Sequence, residues 1–183
     1  SPLLSNIYMR RFVLGWKQRG HEQRFGARVV VYADDLVICC KGDAEGAHLA
    51  LQALMTRLKL TVNAQKTHVR RMPEQSFNFL GYTFCRCYSH ETGRAFIGTR
   101  PSKASVRRIL MDIREKTSKQ RTLQTAEDLV TQINRTLIGW ANYFRLGPVY
   151  GAYRIVDRYT KTRLRRWLHA KHKGGRRWTY PQL

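Results

Sequence analysis

The sequence predicts an α+β fold in which two β-hairpins precede an all-helical C-terminal part. The first hairpin is predicted by two apolar, β-prone runs, residues 29–31 and 36–40, that flank the adjacent acids Asp34 and Asp35. A second strand region is predicted by the alternation of residues 77–84. Beyond Gly98 the apolar period changes from two to 3.6, which favours helices.

The remaining elements before Gly98 follow from local signals. Ser1 is the expected cap of a first helix that runs through about Gln18, and a polar connection follows in which His21 is expected to be solvated. A second helix is predicted over residues 44–58, because apolar side chains recur there on one face. Residues 60–63 are short and β-prone, and Lys66 follows in a loop. After a polar turn, another strand is predicted near residues 95–97.

Three helices are predicted in the C-terminal part. Ser102 caps the first, Thr125 starts the second, and Gly147-Pro148 ends it. The third runs from about Tyr150 to residue 169. It carries a cationic stripe at spacings of four, three and four opposite its apolar side, formed by Arg154, Arg158, Lys161 and Arg165. The predicted domains are residues 1–98, residues 99–170 and a basic tail, residues 171–183.

The charge of the chain points to a polyanionic partner. Its 183 residues contain 34 Lys and Arg against 12 Asp and Glu, a formal net charge of +22. Such an excess repels itself in a compact fold unless a polyanion or counterions offset it, so nucleic acid is the natural partner. A basic protein of the membrane surface is the competing interpretation.

Other features narrow the class of protein. The sequence shows no secretory signal and no apolar run near the ~20 residues that span a bilayer, so a cytoplasmic protein without a membrane partner is expected. The four cysteines lack the spacing of a zinc site, which favours reduced, buried thiols. The sequence begins abruptly inside a structured pattern, which predicts that it is a piece of a longer chain.

Adjacent acids at a hairpin tip have two interpretations. Aspartate is common in turns for conformational reasons alone. Alternatively, Asp34 and Asp35 could bind hard divalent cations, as in phosphodiester-forming enzymes that hold two Mg²⁺ ions ~3.5–4 Å apart. The hairpin by itself does not decide between the two.

Neighbouring motifs favour the metal site. Tyr32-Ala33-Asp34-Asp35 in an apolar hairpin resembles the palm motif of reverse transcriptases, and so do residues 1–8, residues 58–67 and residues 79–82 with the sequence Phe-Leu-Gly-Tyr. Residues 133–144, Ile-Asn-Arg-Thr-Leu-Ile-Gly-Trp-Ala-Asn-Tyr-Phe, closely resemble the thumb segment of maturases encoded by group II introns. Together the resemblances cover nearly the whole chain, to about Trp167.

The resemblance to group II intron-encoded reverse transcriptases implies the C-terminal part of a palm followed by a helical thumb. It implies an RNA-directed DNA polymerase that also binds intron RNA for splicing and mobility, with an RNA template, a DNA primer, deoxynucleoside triphosphates and two Mg²⁺ ions. Asp34 and Asp35 are the implied metal ligands, and Lys66 is implied to lie near the triphosphate. The candidate contacts to primer or other nucleic acid are Tyr32, Ala33, Gly81, Tyr82, Arg107, Arg154, Arg158, Lys161 and Arg165.

One departure from the family pattern limits the expected activity. The family uses a further Asp on a strand upstream of the motif that opens this sequence, together with fingers and template-binding loops, and no candidate for them is present. The isolated chain is therefore expected to be inactive in primer extension. The alternatives are a non-catalytic RNA-binding module, a reverse transcriptase of the retron or diversity-generating type, and a gene remnant that folds poorly.

Overall fold

The computed structural model describes residues 2–89 and 91–172, and the chain divides into two compact units, Ser1–Arg71 and Met72–Leu183. The predicted cap at Ser1 and the tail beyond residue 172 lie outside the described residues. Both units combine helices with antiparallel strands, which confirms the predicted α+β class.

The first unit packs helices against one face of a two-stranded sheet. Its elements are α1 (Pro2–Gln18), α2 (His21–Arg24), β1 (Ala27–Tyr32), β2 (Asp35–Cys40) and α3 (Ala44–Arg57). Phe12 and Trp16 of α1 are fully buried, and they share a core with Phe25 and with Leu51 and Leu54 of α3. This core fixes one face of the sheet and leaves the other free to carry functional groups.

Two segments of this unit differ from what their composition suggests. Residues 60–63 form no strand, although Leu60 and Val62 pack against the core. Their β-prone side chains have apolar contacts there, but no strand among the described residues pairs with them. His21 is not simply solvated, because its ring lies 4.9 Å from the ring of Trp16 and 5.6 Å from that of Phe25.

The second unit joins a three-stranded sheet to three helices. Its elements are β3 (Phe77–Phe79), β4 (Tyr82–Tyr88), β5 (Ala95–Pro101), α4 (Lys103–Lys116), a 3₁₀ turn (Lys119–Arg121), α5 (Ala126–Tyr143) and α6 (Tyr150–Lys171). The strands are antiparallel in the order β3-β4-β5. The side chains of Ser102 and Thr125 accept hydrogen bonds from the amides of Ser105 and Asp128, which confirms both predicted caps.

The helices of this unit bury two apolar clusters. Ile109 and Ile113 of α4 pack against Val156 of α6. Leu129 and Ile133 of α5 pack against Trp167, which is also on α6. The longest helix therefore contributes to both clusters, as expected for a three-helix domain.

The sheet of the second unit is bonded to the helices and not merely adjacent to them. The carbonyl of Gly81 accepts hydrogen bonds from the amide of Ser102 at 2.8 Å and from the hydroxyl of Ser105 at 2.9 Å. The hydroxyl of Tyr82 donates to the carbonyl of Tyr143 at the end of α5. These bonds explain why the compact units divide after residue 71, whereas the boundary drawn from the sequence motifs follows residue 98.

Side chains at every fourth position of α6 bind the connection between α4 and α5. Arg163 donates to the Thr117 hydroxyl at 2.8 Å and to the carbonyls of Arg114 and Thr117 at 3.1 and 2.8 Å. Trp167 donates to the carbonyl of Arg121 at 3.3 Å. Lys171 donates to two further carbonyls of the connection, those of Thr122 at 3.0 Å and Gln124 at 2.6 Å. The bonds of Arg163 thus satisfy carbonyls that the end of α4 leaves without partners, and those of Trp167 and Lys171 satisfy carbonyls of the connection that follows.

We expect Arg163→Met to lower the free energy of unfolding of the second unit by about 2–3 kcal/mol, because a charged donor is lost and three acceptors lose their partner. Arg163→Lys should restore part of the loss, since lysine lacks the planar fork. Chemical denaturation followed by tryptophan fluorescence measures the effect. Arg135→Met, on the exposed face of α5, is the matched control and should change stability by less than ~0.5 kcal/mol. Equal effects of the two substitutions would contradict the role of Arg163.

Candidate metal site and nucleic-acid surface

The hairpin of the first unit holds Asp34 and Asp35 at its tip. Tyr32 pairs with Asp35 across the two strands, so Ala33 and Asp34 form a two-residue loop. Val31 and Leu36 pack against the core, whereas Tyr32 keeps 63% of its surface exposed. Because side chains alternate along a strand, the carboxylate of Asp35 lies on the same outer face as Tyr32.

The loop conformation is unusual for the residue that occupies it. Ala33 has a φ of 52°, in the left-handed region that favours glycine. Two-residue hairpin loops commonly place glycine at a first position of this kind. A strained residue beside the two acids is the pattern that recurs at active sites, where surrounding structure holds the strained conformation.

The two carboxylates are available to a cation. Both Asp34 and Asp35 are exposed, and neither forms an ion pair with any residue in the part of the chain that the structure describes. Mg²⁺ is commonly bound through one or two carboxylates plus substrate phosphates and water. Two adjacent, exposed carboxylates therefore fit such an ion, although within residues 2–89 and 91–172 no cluster of three His, Cys, Asp or Glu side chains accompanies them.

Lys66 lies in a turn that Asn63 stabilises. The side-chain oxygen of Asn63 accepts hydrogen bonds from the amides of Gln65 at 3.0 Å and Lys66 at 3.2 Å. This arrangement is the turn that asparagine forms with its own backbone, and it leaves the lysine side chain exposed. Within the described residues, Lys66 forms no ion pair with Asp34 or Asp35.

Gly81 and Tyr82 occupy a tightly packed corner of the second unit. Gly81 has a φ of 78°, and a Cβ atom there would lie 2.9 Å from the Ser105 hydroxyl and 3.1 Å from the ring of Phe144. The ring of Tyr82 is stacked on that of Tyr143, and only 8% of the residue is exposed. This burial favours a role for Tyr82 in shaping the unit over direct stacking on a nucleic-acid base.

The segment that carries the maturase resemblance mainly builds the same corner. Trp140 and Phe144 pack with ring centroids 5.0 Å apart. The hydroxyl of Tyr143 donates to the carbonyl of Leu80 at 2.9 Å, and that of Tyr153 donates to the carbonyls of Ala141 and Phe144. These aromatic residues therefore join α5 both to the sheet and to the start of α6.

The predicted cationic stripe is at the surface of α6. Arg154, Arg158, Lys161 and Arg165 are all exposed, as is Arg107 on α4. Lys161 forms an exposed ion pair with Asp157, with 2.9 Å between its ammonium nitrogen and the carboxylate oxygen. Sequence reasoning did not include Arg166, which lines the same surface cleft as Arg154 and Arg158. Arg166 could have been identified from the sequence by its position eight residues after Arg158 on the same helix.

Among the residues that the structure describes, burial changes the pKa of His21, Cys40 and Cys87. Burial lowers the pKa of His21, and the guanidinium groups of Arg24 and Arg19 lower it further, so the neutral imidazole is favoured. Burial raises the pKa of Cys40 and of Cys87, and for Cys87 the neighbouring Cys85 thiol acts in the same direction. The sulfur atoms of Cys85 and Cys87 lie 3.9 Å apart on one face of β4, and raised pKa values make thiols less nucleophilic.

Comparisons with known proteins match both parts of the chain. Residues 1–84 match the family model described as reverse transcriptase (RNA-dependent DNA polymerase). Residues 106–182 match the model described as group II intron, maturase-specific domain. No curated protein matches the chain. In the described residues, no helix is both long enough and apolar enough to cross a membrane.

Ala33→Gly should stabilise the hairpin by about 1 kcal/mol, because the strain of a left-handed alanine exceeds the entropic cost of glycine. Slower amide hydrogen exchange in β1 and β2 is the expected readout. Ala64→Gly is the matched control, since Ala64 is exposed in a turn and does not have a positive φ. Slower exchange in the control, or faster exchange in Ala33→Gly, would refute the assignment of strain.

Proposed function

The chain belongs to the family of group II intron-encoded reverse transcriptases and maturases, and from this premise we propose how its two units divide the work. The first unit contributes metal-binding carboxylates to RNA-directed DNA synthesis. The second unit binds intron RNA and the template–primer. The observation that supports this proposal best is the hairpin tip, which holds two adjacent, exposed carboxylates in a chain that also carries a maturase-specific domain.

In the proposed site, Asp34 is the main ligand and Asp35 its less direct partner. These carboxylates would hold a divalent ion, whose positive charge would offset that of the triphosphate and favour deprotonation of the attacking hydroxyl. Tyr32 and Ala33 lie beside the acids, where the end of a primer would approach. Lys66 is exposed, and its ammonium group would neutralise the leaving pyrophosphate or protonate it.

The proposed RNA contacts rest on electrostatics. Residues 100–183 contain 20 basic and 5 acidic residues, a net charge of +15. Arg107, Arg154 and Arg158 are exposed on helices whose opposite sides are buried in the unit's core. A positive surface held rigidly by a packed core binds phosphates without having to order itself first.

A non-catalytic RNA-binding module is the second candidate. The small number of candidate metal ligands favours this alternative. The described residues contribute two carboxylates at the hairpin and no third ligand of the His, Cys, Asp or Glu type. The two candidates differ in whether the hairpin tip binds a divalent ion at all.

Paramagnetic broadening by Mn²⁺ tests the metal site. We expect Mn²⁺ to broaden the amide signals of residues 32–36 selectively, because exposed carboxylates concentrate the ion at the loop. Asp34→Asn combined with Asp35→Asn should abolish this broadening. Asp157→Asn, which also removes an exposed carboxylate, is the control and should leave it intact. Broadening that survives the double substitution would exclude the site and favour the RNA-binding module.

Salt-dependent RNA binding tests the second unit. Arg154→Gln with Arg158→Gln should weaken binding to a structured intron RNA by about tenfold or more and reduce the slope of log K against log salt by about 2, since two phosphate contacts are lost. Arg19→Gln with Arg57→Gln removes the same charge from the first unit and should have a smaller effect. Equal losses in the two double variants would show that net charge, and not the helical surface, governs binding.

A further inference from the structure

The second unit contains an open cleft beside α6 that includes two of the predicted nucleic-acid contacts, Arg154 and Arg158, and adds an apolar interior to them. It has a volume of about 580 Å³. One residue of α4 and seven of α6 line it, and those that matter here are Leu110, Ile155, Tyr159 and three arginines, Arg154, Arg158 and Arg166. A volume of this size is typical of a site for one small organic group.

The interior of the cleft is apolar although it opens to solvent. Leu110, Ile155 and Tyr159 form it, and Ile155 keeps 54% of its surface exposed. Gly151 keeps one side open, because a Cβ atom there would meet no other atom within 4 Å. An exposed isoleucine next to an aromatic ring offers a planar, apolar ligand a surface that water solvates poorly.

The rim of the cleft is cationic. Arg154, Arg158 and Arg166 are exposed, and across the described residues none of them is ion-paired with a carboxylate. Asp157, the one acid in the sequence of α6, pairs instead with Lys161. The three guanidinium groups are therefore available to a ligand that carries negative charge around an apolar centre.

A nucleotide outside a helical stack has this chemistry, since its base is planar and largely apolar on its faces and its phosphates lie at the edge. Paired bases in a duplex keep their faces covered by stacking, so a duplex could reach the guanidinium groups of the rim but could not fill the apolar centre. The cleft lies on the most basic part of the chain, which fits a polyanion, and the matches to the reverse-transcriptase and maturase-specific families favour RNA over an acidic protein as that polyanion.

We propose that the cleft beside α6 holds one unpaired nucleotide of a bound RNA, with its base against Ile155 and Tyr159 and its phosphates at the arginine rim. The proposal rests on the proposed function of the second unit as an RNA-binding domain. It adds a preference for RNA with a bulged or looped-out nucleotide, because contacts with a splayed base strengthen binding roughly 5- to 150-fold per base.

Two RNA hairpins that differ by a single bulged 2-aminopurine nucleotide test the proposal with the full chain. We expect the bulged RNA to bind more tightly and its 2-aminopurine fluorescence to change on binding. Ile155→Ala should weaken binding of the bulged RNA by roughly fivefold and leave the paired RNA unaffected, because only the bulged RNA places a base against this side chain. Arg154→Gln should weaken the binding of both RNAs.

Val130→Ala is the matched control, since Val130 is an aliphatic residue of α5 that is 44% exposed and does not line the cleft. It should change neither affinity. If both RNAs bind equally and Ile155→Ala has no effect, the cleft proposal is overturned while RNA binding by the unit stands. If neither RNA binds, both proposals fall. Binding of an acidic peptide that Ile155→Ala weakens, with RNA binding unchanged, would assign the cleft to a protein partner instead.

Discussion

The register of the first hairpin is the constraint on which the proposed metal site depends. Tyr32 must pair with Asp35, because that pairing leaves Ala33 and Asp34 as the loop and turns Val31 and Leu36 towards the core. A slip of one residue would exchange the two faces of the sheet and carry a carboxylate towards the core, where an unpaired charge is costly. The helices that supply the core therefore position the acids at the tip by fixing the register of the strands.

The fold of the second unit depends on the contacts between its sheet and its helices, and not on a repeated sequence pattern. The Gly81 carbonyl accepts bonds from the start of α4, and Tyr82 reaches the end of α5, so sheet and helices form one body. Most of the aromatic residues that carry the maturase resemblance are packed at this junction. Their contribution to RNA binding is then indirect, because they fix the helices on whose outer faces the arginines are exposed.

Periodicity predicted the first hairpin, α3 and all three C-terminal helices, since each buries one face and shows it in the spacing of apolar residues. It failed where the outcome depends on distant partners. Residues 60–63 have strand-forming side chains but no strand beside them, and the burial of Tyr82 results from residues about sixty positions later. For the candidate site, the two acids and the basic stripe were predictable from the sequence alone. It could not supply the cleft beside α6, which requires Leu110 and Tyr159 to meet across two helices.

The contacts of Arg163, Trp167 and Lys171 with the link between α4 and α5 have a consequence for the order in which the protein can be completed. Their acceptors lie 46–49 residues earlier in the chain. On the ribosome, the first two helices of the domain emerge with that link still unsupported, and it acquires its last partner only after the final turn of α6 has been synthesised. The contacts that complete the domain therefore come from its C-terminal end. A nascent chain halted before residue 163 would contain α4 and α5 but none of the three side chains that bind the connection between them.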